Sequence, residues 1–134
     1  MRDQIGPRFG KGYKNHYRVA GMKITLDGSP QGRTAWRTVR YLIPPEGQKP
    51  GYKGYLAIPN TRALEALFDE AYQKGWPTKV HANGEAAIDQ MIEALKLVPA
   101  KYGPGDRRHV LIHGQFVRKD QLDKLPSGES MFVV

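Results

Sequence analysis

The sequence predicts an α/β fold in which parallel strands are joined by helical crossovers, and two observations predict it. Apolar runs at residues 21–26, 78–82 and 109–113 have the length of strands. Stretches with helical spacing, 61–74 and 85–98, stand between them, and strand–helix alternation of this kind implies a parallel sheet. Two of the runs also carry a histidine at or near their ends, His81 and His113. In a parallel sheet the carboxyl ends of successive strands share one rim, so these two imidazoles are expected to converge.

At 134 residues the chain can enclose a core as one domain, yet it is short for a closed eight-stranded (β/α) barrel, which takes about 250 residues. The absence of cysteine excludes disulfides, thiolate metal sites and a thiol nucleophile, leaving histidine, carboxylate and lysine as the chemical repertoire. No run approaches the ~18 apolar residues of a membrane span, and the N-terminus lacks the apolar stretch of a signal peptide. A soluble, cytoplasmic chain without a membrane partner is the expectation. A formal charge of +8 and a pI near 9.8 would ordinarily suggest nucleic acid. However, the basic residues (Arg2, Arg8, Lys11, Lys14, Arg18, Arg33, Arg37 and Arg40 among them) are scattered, and no reader motif accompanies them, so no nucleic-acid partner is expected.

Residues 1–16 hold Gly6, Pro7, Gly10 and Gly12 among charges and read as a flexible arm. Val19, Met22, Ile24 and Leu26 place the first strand at 21–26. Lys23 lies inside it, where an alternating pattern makes it either a solvent-facing residue or one with a use for its amine. Asp27, Gly28, Ser29, Pro30 and Gln31 are turn chemistry. Residues 37–58, rich in proline and glycine with Tyr41, Tyr52 and Tyr55 interspersed, form a long irregular connection. Connections of that length tend to be lids or binding loops, unless the tyrosines simply pack this one onto the scaffold.

Asn60 or Thr61 caps a helix with the stripe Leu64, Leu67, Phe68, Ala71 and Tyr72, which ends at Gly75. After the strand at 78–82 the next helix starts near Gly84 or Glu85. It buries Ala87, Ile88, Met91, Ile92 and Leu95, and is expected to stop before Pro99. Gly103, Pro104 and Gly105 make a turn before the third strand, 109–113. A short helix at 118–125 closes the pattern, and 126–134 reads as a tail that departs from it.

Of the four histidines, His16 lies in the arm and His109 opens its strand, so both are expected to be structural or exposed. His81 and His113 are the candidate metal ligands. No His-Glu-x-x-His pair, nucleophile elbow or dinucleotide fingerprint is present, and no base is placed to activate Ser29.

Three segments together resemble a known family: Met-Lys-Ile-Thr-Leu-Asp-Gly-Ser-Pro-Gln-Gly-Arg-Thr-Ala-Trp at 22–36, Gly-Trp-Pro-Thr-Lys-Val-His-Ala-Asn-Gly-Glu at 75–85, and Arg-His-Val-Leu-Ile-His-Gly-Gln at 108–115. They resemble the amidohydrolase superfamily, and within it the metal-dependent group containing N-substituted formamide deformylase and exoenzyme-regulator-like proteins. The resemblance extends over residues 17–125. It implies a (β/α)₈ TIM barrel holding one or two divalent metals, zinc foremost, at its C-terminal rim. Lys23 then falls on the fourth barrel strand as a carbamylated bridging ligand, His81 ends the fifth and His113 the sixth. Carbamylation would turn a costly buried cation into an oxygen donor that a divalent ion accepts. Glu85 becomes a carboxylate behind the ligands, while Arg33 and Trp36 stand on the substrate side.

The chain also departs from the family. The first-strand His-x-His and the eighth-strand aspartate that accepts the proton are missing, Glu85 replaces the usual Asp, and Gly114 follows His113 where Ala is commoner. The resemblance therefore implies a partial barrel, a fragment covering strands four to six with the general base elsewhere. The implied activity is hydrolysis of non-peptide carbon–nitrogen bonds in a small amide or formamide by metal-activated water. An open partial barrel would associate with a second copy or with a complementing barrel fragment. The alternative from another class is a non-catalytic interaction module derived from such a barrel.

Overall fold

The computed structural model describes residues 13, 15–103, 105–125 and 131–133. Four strands, β1 (Met22–Thr25), β2 (Thr78–Ala82), β3 (His109–His113) and β4 (Met131–Val133), form one sheet in sequence order, and every neighbouring pair is parallel. Helices α1 (Thr61–Gln73) and α2 (Glu85–Tyr102) make the first two crossovers, and the short α3 (Lys119–Leu122) lies in the third. The α/β class with helical crossovers is as the periodicity predicts. Most of the arm, residues 1–12 and 14, lies outside the described residues, as do 126–130 and 134 of the tail.

Alternation along the strands divides the sheet into two faces. Ile24, Val80, Ala82 and Leu111 point to one side, where they join Leu64, Phe68 and Tyr72 of α1 and Ile88, Met91, Ile92 and Leu95 of α2 in a single apolar cluster. Residues of the other parity are partly or fully exposed: Lys23 and Thr25 on β1, Lys79 and His81 on β2, Val110 and Ile112 on β3. The register aligns Lys23 with Lys79 and Val110, and Thr25 with His81 and Ile112. Both helices thus cover one face of the sheet.

Asn60 is the cap of α1, its side-chain oxygen accepting the Ala63 N–H at 2.9 Å. The expected stop of α2 before Pro99 is corrected, because the helix continues to Tyr102. A proline removes one backbone bond, but the last turn is anchored from outside. The Tyr102 hydroxyl and the Lys101 ammonium both donate to Asp69 of α1, and the Tyr102 ring packs 5.5 Å from that of Tyr72. Gly103, at φ 71°, then ends the helix in the left-handed region.

Two further expectations change at the end of the chain. The helix expected over 118–125 is only four residues long. The tail, expected to break the pattern, instead adds the fourth parallel strand, with Met131, Phe132 and Val133 in register with His109, Val110 and Leu111. Three residues of high strand propensity suffice there because β3 already offers a free edge to pair with.

His109 is structural, as expected, and fully buried. The Thr78 N–H donates to its Nδ1 at 3.1 Å, so the ring carries its proton on Nε2 and donates to the Tyr72 hydroxyl at 3.0 Å. Burial first, and the nearby Arg107 charge second, push this imidazole down to about 4. The unfolded chain therefore binds the extra proton between pH 6.5 and 4, and the folded chain does not. Stability contributed by neutral His109 is complete above pH 6.5 and should fall by on the order of 3 kcal/mol as pH drops through 4. Denaturant titrations at successive pH values, wild type against His109→Gln, measure this as a slope that the variant lacks.

Candidate functional site

The carboxyl ends of β1, β2 and β3 lie on one rim, and the loops leaving them carry the candidate residues. His81 is partly buried on the helix-free face near the end of β2. Its Nε2 lies 3.2 Å from the Gly28 carbonyl, which also accepts the Asn83 side-chain N–H at 2.8 Å. His113 ends β3, where its parity matches that of His109 and Leu111, which point at the helices. Its backbone is left-handed, at φ 74°, an unusual state for a residue with a side chain. The chain leaves the pleat there, and the imidazole meets that of His81 edge to face, with ring centroids 4.8 Å apart. The two are not equivalent in register, since His113 aligns with Ala82 and His81 with Ile112.

Lys23 sits on the same helix-free face, beside Lys79. Its pKa is lowered, first by burial and then by the Lys79 charge. Both effects act against the charged form.

The residue that organises this rim is Asp27, which in sequence reads only as part of a turn. It is 2% exposed, and its carboxylate accepts three backbone N–H groups: Trp36 at 2.9 Å, Asn83 at 2.9 Å and Gly84 at 2.7 Å. Burial pushes the carboxyl up, and the three N–H groups with His81 pull it down without fully offsetting burial. Asp27 thus ties the loop after β1 to the loop after β2, and its Oδ1 comes within 3.7 Å of His81 Nε2. Gly84 completes the junction: a Cβ there would lie 1.8 Å from the Trp36 carbonyl oxygen, so only glycine lets the two backbones approach.

Glu85 is buried at the start of α2, and its partners are Arg37 and Thr38. Arg37 Nε donates to Oε2 at 2.5 Å, while the Thr38 N–H and hydroxyl donate to Oε1 at 3.1 and 2.8 Å. Burial raises this carboxyl, but its own backbone N–H, Thr38 and Arg37 together bring it below its ordinary value. No hydrogen bond joins Glu85 to either imidazole among the described residues. Arg33 is exposed on the 30–34 turn, while Trp36 packs against the core cluster. A cleft of about 510 Å³ opens at the same rim, lined by residues 37–39, Glu85 and residues 115–118 and by neither histidine.

Among the described residues, no group of three or more His, Asp or Glu side chains is arranged to hold a metal ion. The donors that do converge are the two imidazoles, which suit a divalent ion in chemistry but make up only part of its shell; Lys23 lies on the same face, in register with Lys79 and not with His81. No helix among the described residues is long and apolar enough to cross a membrane.

Comparison with known proteins gives a consistent result. The family model described as "Amidohydrolase family" matches residues 7–127. The Bacillus subtilis (strain 168) protein "Putative amidohydrolase YtcJ" is 32% identical over 103 residues, which are 77% of this chain and 18% of that protein. Crystal structures of uncharacterized metal-dependent hydrolases from Pyrococcus furiosus and Pyrococcus horikoshii OT3 superpose with TM-scores of 0.66 and 0.67 at 28% and 25% identity. Each covers 87% of this chain, which spans 22% and 21% of theirs. The chain therefore spans about one fifth of the length of these relatives.

Proposed function

Because the chain belongs to the amidohydrolase family, we propose that it supplies one sector of the metal-bearing rim of a (β/α)₈ hydrolase that acts on non-peptide carbon–nitrogen bonds of the amide or formamide type. The observation that carries this reading is the meeting of His81 and His113 at the ends of successive parallel strands. In it, β1, β2 and β3 correspond to the fourth, fifth and sixth barrel strands, and β4 takes the place of the seventh. A divalent ion held there, zinc by its preference for imidazole, would lower the pKa of water and polarise a carbonyl oxygen.

The chain's own residues have separable roles in this reading. His81 Nε2 faces both the Gly28 carbonyl and the Asn83 side-chain N–H at 3.2 Å, and in the tautomer that donates to Gly28 the ring would offer Nδ1 to the ion, the usual arrangement in which one ring nitrogen is held by the protein and the other ligates. His113 supplies the second nitrogen. Lys23, exposed on that face beside Lys79, would add to carbon dioxide with loss of a proton to form a carbamate, an oxygen donor of the kind a divalent ion accepts. Asp27 and Glu85 position loops: Asp27 holds the strand-end junction, and Glu85 holds Arg37 and Thr38. Arg33, exposed after β1, stands on the substrate side, while Trp36 contributes through its backbone. The proton acceptor and the remaining ligands come from other strands, whether in the same polypeptide, a second copy or a complementing piece.

Long-range proton–nitrogen spectra of the imidazoles test the assignment atom by atom. Zinc addition is expected to move Nδ1 of His81 and one nitrogen of His113 to ligated shifts, with Nε2 of His81 still protonated. His16 and His109 should not move. Shifts confined to His16, or none at all, would favour the interaction module.

A further inference from the structure

The cleft beside the histidines has a feature that the hydrolytic centre does not use. Arg37 is held on three sides: its backbone N–H donates to Lys53 O at 2.6 Å, its Nε donates to the buried Glu85, and its guanidinium carbon lies 3.8 Å from the centroid of the Phe116 ring. Glu85 has given its other oxygen to Thr38, so it cannot close the bidentate pair that an arginine and a carboxylate otherwise form. Both terminal nitrogens of Arg37 are left without a protein acceptor among the described residues. The side chain is 23% exposed and lines the cleft. Gln115 also lines it, with a side-chain amide that makes no hydrogen bond among the described residues, and Val39 and Val117 give it apolar wall.

We propose that this cleft is a subsite for a small carboxylate, in which the outer edge of the Arg37 guanidinium grips the anion and Gln115 and the valines contact the group that bears it. The proposal rests on the reading of the histidine rim as a hydrolytic centre and names the kind of substrate that centre receives: an amide that also carries a carboxylate. Phe116 follows His113 by three residues and donates its N–H to the Asn83 carbonyl at 3.0 Å. Three residues span at most ~11 Å between Cα atoms, so the Phe116 backbone lies on the same rim as His113. A guanidinium fixed by an aromatic face and a buried carboxylate loses little freedom on binding, which favours a planar anion over a spherical one.

The test needs no metal and no turnover. Isobutyrate and its neutral isostere isobutyramide are titrated into the 134-residue chain in the presence of EDTA, with the Phe116 and Gln115 resonances as the readout. Isobutyrate should bind saturably and isobutyramide at least about tenfold more weakly, the discrimination of one charge-assisted hydrogen bond. Arg37→Lys keeps a cation for Glu85 but loses the planar edge, and should weaken isobutyrate about tenfold. The double variant R37M/E85Q removes the pair together, leaves no lone buried charge, and should abolish the preference for the anion. Equal binding of the two probes, no saturable binding of either, or a double variant that binds isobutyrate like the wild type overturns the proposal. His81→Ala should still bind isobutyrate. A chain that ligates zinc through its histidines but shows no preference for the anion refutes the subsite alone, whereas one that prefers the anion but ignores zinc refutes the hydrolytic reading.

Discussion

Asp27→Ala is expected to destabilise the chain by about 3–5 kcal/mol, because it strands three buried backbone N–H groups, each costing about 1–3 kcal/mol when unpaired and partly relieved by relaxation. Those donors belong to Trp36, Asn83 and Gly84, on loops that follow different strands, so no other acceptor moves into place without reopening the rim. For a domain of this size the loss corresponds to roughly 10–20 °C in melting temperature. Asp27→Asn keeps the shape and is still expected to cost much of this, since one amide end would turn a donor toward donors. Thermal unfolding of both variants, followed by circular dichroism, measures the effect. A melting temperature within a few degrees of wild type would mean that the junction is held by something other than Asp27.

The parallel sheet was legible because its signals are local and periodic. The α1 stripe of Leu64, Phe68, Ala71 and Tyr72 and the α2 stripe of Ile88, Met91, Ile92 and Leu95 appear directly in the amino-acid order, and both turn out buried. The two candidate histidines were legible for the same reason, each standing at or near the end of an apolar run. What escaped depends on contacts between distant residues. Asp27 followed by Gly28 carries the signal of a turn, and nothing local reveals that its carboxylate receives N–H groups from positions 83 and 84. An aspartate just after a strand, in a chain whose next strand is followed by Asn-Gly, is the nearest thing to a clue. The Arg37–Glu85 pair spans 48 positions, so no spacing rule exposes it.

Other misreadings follow from the same cause. Pro99 argues locally for a helix stop, and the tertiary anchor that Asp69 gives to Lys101 and Tyr102 overrides it. Met131–Val133 is too short to read as a strand until β3 is known to lie open beside it. The left-handed backbone at His113 is invisible in sequence, yet it brings that ring, whose strand parity points at the helices, into contact with His81. The sheet was thus predictable one segment at a time, and the site was not, because its geometry is made where strands end and loops meet.

The central claim is that His81 and His113 form one metal-binding unit, with Lys23 as a third ligand once carbamylated. Zinc titration of the wild-type chain by calorimetry, with and without bicarbonate, tests it most directly. The account predicts that His81→Ala and His113→Ala each weaken zinc binding at least about 100-fold, since losing a ligand should cost no less than losing the partner that orients one. The double variant should be little worse than either single one, because the two act on the same ion. Bicarbonate should tighten binding to the wild type and have no effect on Lys23→Met. Zinc affinity unchanged in both histidine variants, or independent additive losses from the two, would contradict the claim.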